Sequence, residues 1–106
     1  SLDRPYFLAL LADALIQFEA PQEAQAALTE ALNQVRHSRS FFYEAELLRL
    51  QAVASTLQSK DREANNQFSR ALGIALAQGA RSLEMRILAS MLRHAPSDQE
   101  VRIRLR

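Results

Sequence analysis

Few side chains here are of the kinds that do covalent or metal chemistry, and their spacing keeps them apart. The histidines are His37 and His94. A metal site on a helix needs a second ligand about one turn on. Position 41 is Phe and position 98 lies beyond Pro96, so neither histidine has one. Both fall at the C-terminal ends of expected helices, where a partly cationic imidazole favours the helix dipole. Glu44 and Glu46 are two residues apart and point in different directions on a helix, so they read as solvated acids and not as a hydrolytic pair. His37, Ser38 and Ser40 share one short segment with no oxyanion-hole motif beside them. The absence of cysteine removes disulfides, thiol catalysis and Cys-ligated metals. Gly73 and Gly79 form no phosphate loop; Gly73 is expected to permit close helix packing. These residues point to no catalytic centre, no metal and no cofactor.

The elements that carry these residues read as helices throughout. Ala and Leu fill 35 of 106 positions, against 2 Gly and 3 Pro, and strong helix formers at that density predict an all-α chain. Pro5 suits a first helical turn, followed by a stripe of Phe7, Leu8, Leu10, Leu11, Leu15, Ile16 and Phe18. Pro21 opens a second helix, with Glu23 in its first turn and Ala24, Ala27, Leu28, Ala31, Leu32 and Val35 on one face. His37-Ser38-Arg39-Ser40 reads as a loop, with Ser40 as N-cap. Further helices are expected over about 41–58, 61–78 and 80–94, with Gly79 as the left-handed residue closing the fourth. Pro96-Ser97-Asp98 reads as a break, and 99–106 as a helix barely begun. Phe41-Phe42-Tyr43, an aromatic run at a helix start, is expected to pack in the core and between repeats, with an exposed contact surface as the alternative.

Charge narrows the classes further. Thirteen basic against twelve acidic residues leave a net charge of +1, far from the excess of a dedicated nucleic-acid binder. Residues 1–78 carry 7 basic and 9 acidic side chains, and 79–106 carry 6 and 3. The arginines of that second part (81, 86, 93, 102, 104, 106) have no accompanying aromatic platform, so they read as a solvated face, and nucleic acid is not the expected partner. No uncharged stretch reaches the roughly 18–20 residues that span a membrane, and Ser1-Leu2-Asp3-Arg4-Pro5 forms no signal peptide. A cytoplasmic setting is the expectation.

Shifted by 40 positions, the sequence overlays on itself. Residues 7–32 match 47–72 at Leu8/Leu48, Leu10/Leu50, Ala12/Ala52, Ala14/Ala54, Glu23/Glu63, Ala24/Ala64, Ala31/Ala71 and Leu32/Leu72. The same shift pairs Glu44 with Glu84 and Leu48 with Leu88, starting a third unit. A two-helix unit cannot bury its apolar face alone, so such units stack and share a core. The expected architecture is one domain, cut from a longer polypeptide: repeats at about 5–37 and 41–79 and a partial third at 80–106, forming a right-handed solenoid of antiparallel helix pairs.

These residues resemble tetratricopeptide (TPR) repeats: large Leu8, Leu48 and Leu88 at the fourth position, small Ala12 and Ala52 at the eighth, then Ala24/Ala64, Leu28/Phe68 and Ala31/Ala71. The segments Phe42–Leu50, Phe68–Ala75 and Gln78–Arg86 are similar to C-terminal repeat regions of large bacterial regulators, in which an ATPase module is joined to an adenylate cyclase or a DNA-binding domain. The resemblance implies a non-enzymatic sensor or scaffold segment of a signalling or transcription-regulatory protein. Its partner would be a protein or peptide on the concave face of the first helices. Carried over position by position, the groove residues are Tyr6, Ala9 and Asp13; Glu46, Arg49 and Val53; and Arg86, Ala89 and Arg93. Ala9, Asp13 and Leu50 stand where three residues of the family's carboxylate clamp would be, so that clamp is not implied.

The last helix raises one more expectation. Leu83, Ile87, Leu88, Met91 and Leu92 would pair with the segment after Ser97, which supplies only Val101, Ile103 and Leu105 among arginines. Burying a Leu or Ile is worth about 1.5–3 kcal/mol. An uncovered end predicts self-association through Ile87, Leu88, Met91 and Leu92, most simply as a homodimer.

Overall fold

The computed structural model describes residues 3–38 and 41–94, with side chains from 8 to 36 and from 41 to 94. Five helices follow one another: α1 (Asp3–Gln17), α2 (Pro21–Ser38), α3 (Phe41–Leu57), α4 (Asp61–Ala77) and α5 (Arg81–His94). The described residues contain no strand, and none of their helices is long and apolar enough to cross a membrane. The all-α expectation is met. Arg39, Ser40 and the whole segment 95–106 lie outside the described residues, and with them the expected N-cap at Ser40 and the short last helix.

Three of the connections are built alike. After α1, Glu19 N–H donates to Ile16 O and Ala20 N–H to Leu15 O; after α3, Ser59 and Lys60 donate to Thr56 and Ser55; after α4, Gly79 and Ala80 donate to Leu76 and Ala75. This is the Schellman closure, which needs a left-handed residue just past the helix. Glu19 (φ 59°), Ser59 (φ 61°) and Gly79 (φ 65°) supply it. The carbonyls of Ala20, Lys60 and Ala80 then accept the first bond of the next helix, from Ala24, Ala64 and Glu84. Gly79 was legible as a closing residue. Glu19 and Ser59 were not, because a side chain in the left-handed region costs about 1–2 kcal/mol and is seldom chosen for it.

Packing falls into two sets of helices. α1 contacts α2 and α3, α3 contacts α4 and α5, and α2 also meets α3 and α4 meets α5; α2 and α4 do not touch. Burial recurs with the 40-residue spacing: Leu8, Leu48 and Leu88; Ala12 and Ala52; Ala24 and Ala64; Leu28 and Phe68; Ala31 and Ala71; Leu32 and Leu72; Val35 and Ala75. Alanine at the close approaches lets backbones come near enough for the larger Leu and Phe to fill the remaining space.

Several expectations need correction. Leu10, Leu11 and Phe18 are exposed although they extend the apolar stripe of α1, because α1 packs only on α2 and α3. His37 and Ser38 are helical: α2 runs to Ser38, since nothing at those positions breaks a helix. Phe41 and Phe42 are 48% and 54% exposed and do not fill the core, while Tyr43 packs partly against it and meets Phe42 edge-on (centroids 5.7 Å apart, 83°). Gly73 is exposed, and a Cβ there would meet nothing within 4 Å, so it serves no close approach. Ile87, Leu88 and Met91 are buried within the chain with Leu83, and among the four residues assigned to self-association only Leu92 is exposed. α5 contacts α3 and α4, and residues 95–106, on which the expected pairing of this helix rested, lie outside the described residues.

The two glycines should therefore respond oppositely to alanine. Gly73→Ala fills open space in an α-helix and is expected to stabilise the chain by about 0.5–1 kcal/mol. Gly79→Ala forces a Cβ into the left-handed region and is expected to cost about 1 kcal/mol, whereas Ser59→Gly should return a similar amount. Urea titrations of the three variants check the signs, with midpoints rising, falling and rising.

Candidate functional site

Polar residues of α1, α3 and α5, Asp13, Gln17, Arg49, Ser90, Arg93 and His94, line one side of the fold. The 40-residue spacing aligns Asp13, Val53 and Arg93 as one row across these helices, and Tyr6, Glu46 and Arg86 as another. A concavity of about 570 Å³ opens there. Asp13, Ile16 and Gln17 of α1, with Glu19 and Pro21 beyond it, form one wall; Arg49, Leu50, Val53 and Leu57 form the floor; Ser90, Arg93 and His94 of α5 close the other side. Leu50 and Val53 are buried at its base, and the accessible apolar surface comes from Leu57 and the partly exposed Ile16 beside them.

One charged cluster fixes the α3–α5 side. Arg49 donates from Nη2 to Glu46 Oε1 (2.7 Å), from Nε to Glu46 Oε2 (3.3 Å) and from Nη1 to Ser90 Oγ (2.9 Å). Arg86 Nη1 donates to the same Glu46 oxygen at 3.2 Å. Burial by itself would raise the Glu46 pKa, but the hydrogen bonds and charges of Arg49 and Arg86 outweigh it and hold the carboxyl below its ordinary value. Planar guanidinium against carboxylate gives a forked pair that a lysine could not copy. Arg49 is thus committed to Glu46 and Ser90 and braces the two helices. Its guanidinium is not a free groove contact.

The transferred positions divide accordingly. Asp13, Arg49, Val53 and Arg93 line the concavity; Glu46 and Arg86 form the cluster beside it; Ala9 is partly buried and Ala89 exposed. Tyr6 belongs to α1, and its side chain lies outside the described residues. Ser90 and His94 were missed. Ser90 occupies the position that is Leu in both earlier units, Leu10 and Leu50, and that break in an apolar column was the available signal. His94 ends α5 as expected. Burial, then the charges of Arg93 and Arg49, lower its pKa below the ordinary 6.5, which disfavours the cationic form at that helix end.

The chain matches no known protein family, no curated protein and no solved structure. What the site can do follows from its own groups. Ser90 Oγ accepts a hydrogen bond from a cation, the opposite of the base contact that makes a hydroxyl nucleophilic. Among the described residues no three His, Cys, Asp or Glu side chains gather to hold a metal. An apolar floor between exposed charges is suited to holding a segment of chain, with recognition by shape and charge.

Both shifted groups weaken the fold on acidification. His94 binds its proton more weakly in the folded state, so its contribution is present above about pH 6.5 and is lost as pH falls through the lower folded value. Glu46 contributes above the ordinary carboxylate range and loses that contribution as pH falls through its depressed value. Thermal melts from pH 7.5 to 3 should decline in two stages, with His94→Gln removing the first and Glu46→Gln the second.

Proposed function

We propose that the chain is a TPR-like repeat segment, a right-handed stack of antiparallel helix pairs that binds a protein or peptide along the face shared by α1, α3 and α5, with no catalysis of its own. The observation that carries this reading is the row Asp13–Val53–Arg93, whose three members line one concavity although they are 40 residues apart. The recurrence of burial at the same spacing supports the repeat, as does a contact order in which α3 meets α1 and α5 while α2 and α4 stay apart. In a solenoid the first helix of each unit lines the concave side, and extended or helical partners lie across it. The resemblance to repeat regions of bacterial signalling and transcription regulators makes such a protein the parent we favour.

Selection of peptides from a displayed random library tests the reading. Asp13 and Arg93 are exposed, so Asp13→Lys and Arg93→Glu change the groove without touching the core. Selected peptides should lose at least about tenfold in affinity, or 1.4 kcal/mol, with either variant. They should be indifferent to Asn66→Lys on the exposed side of α4 and to Phe42→Ser in the aromatic patch. Peptides sensitive only to Phe42→Ser would overturn the proposal and move the binding surface to the start of α3.

A further inference from the structure

The two sides of the concavity carry opposite charge. Asp13 and Glu19 stand on the α1 side and Arg93 on the α5 side, and among the described residues none of the three has a salt-bridge partner. Leu50 and Val53 lie buried between them. Packed helices sit about 8–10 Å apart, so the axes of α1 and α5, each against α3 and not against one another, lie at most about 16–20 Å apart. Among the described residues no salt bridge joins the two sides. Arg49, on the floor behind Arg93, has its charge answered by the Glu46 carboxylate, so Arg93 is the unpaired cation of the α5 side among the described residues. Burial, then Arg93 and Arg49, lower the pKa of the neighbouring His94 imidazole.

We infer that the occupant is an extended peptide segment with charge segregated along its length: acidic residues that meet Arg93 and His94, basic residues that meet Asp13 and Glu19, and apolar side chains between them on the floor beside Leu57 and Ile16. At about 3.3 Å per residue, a span of at most about 16–20 Å takes no more than about five or six extended positions. Alternate side chains of such a segment face the floor, as in any strand. A nucleic acid, with one sign of charge throughout, meets repulsion at the α1 side. The inference rests on the proposed binding face and adds the chemistry of the partner.

Three blocked synthetic peptides of equal length test it by fluorescence anisotropy. In the first, two glutamates and two lysines flank five positions of alternating leucine and serine; in the second the same charges are interleaved; in the third they are glutamines. The first should bind at least tenfold more tightly than either of the others. Arg93→Glu should abolish that preference. Adding Asp13→Lys and Glu19→Lys to Arg93→Glu should restore it, since the peptide then enters in the reverse direction. All three sites are exposed, and a thermal melt of each variant checks that it folds. Equal binding of the segregated and neutral peptides overturns this inference and leaves the concave-face reading to the library selection. No binding of the segregated peptide up to millimolar concentration also overturns it. So does light scattering that shows a dimer at 100 µM converted to monomer by Arg93→Glu, which would make a second copy of the chain the occupant.

Discussion

The structure depends on α3 lying against four other helices. It is the only described helix in contact with α1, α2, α4 and α5, and Ala45, Leu47, Leu48, Leu50, Ala52, Val53, Ala54 and Ser55 are all buried along it. A helix with one dry face needs a stripe; a helix with four neighbours must be apolar nearly all round. That requirement explains the dense run from Ala45 to Ser55, which has no single apolar face. It also explains why α1 and α5, at the two ends of the arrangement, leave Leu10, Leu11 and Leu92 exposed.

Within that packing the polar exceptions are satisfied. Ser55 is fully buried, receives a hydrogen bond from Gln25 Nε2 at 3.0 Å and lies 2.7 Å from the Gln67 amide. With its nitrogen turned inward, Gln67 donates to Ser55 Oγ and to the carbonyls of Glu63 and Gln51, at 3.2 and 3.3 Å. The node thus joins α2, α3 and α4 at one point. An apolar residue at 55 would leave two glutamines seeking partners, and unmade buried hydrogen bonds cost about 1–3 kcal/mol each. Hydrophobic contact is indifferent to small rotations of a helix, whereas a hydrogen-bonded node accepts only one. Glu46, Arg49 and Ser90 do the same between α3 and α5, so both ends of the central helix are held in register by directional contacts.

This rigidity bears on the concavity. Its floor is the flank of α3, and its α5 side is held to that floor through the Arg49–Ser90 hydrogen bond. Arg49 illustrates the division of labour. By position it lines the concavity, but its donors and its charge are engaged by Glu46 and Ser90. Arg93, one row further along, has no salt-bridge partner among the described residues.

The sequence by itself determined the helices, their ends to within a residue or two, and the 40-residue register, because these follow from local propensity and periodic spacing. Pro21 and Gly79 punctuate the chain wherever it is read, and the matched Ala and Leu columns needed no coordinates. It also placed Asp13, Val53 and Arg93 in one row. What only the tertiary structure decided is which members of each column are covered and which charges are already paired. Leu10 and Leu50 are the same residue at the same register, yet one is exposed and the other buried, because α3 has a neighbour where α1 has none. Gly73 needed its surroundings to be seen as empty, and Phe41 and Phe42 to be seen as uncovered. The lowered pKa of His94 comes from burial and from arginines on two helices, a sum of distances in space that spacing along a chain does not contain.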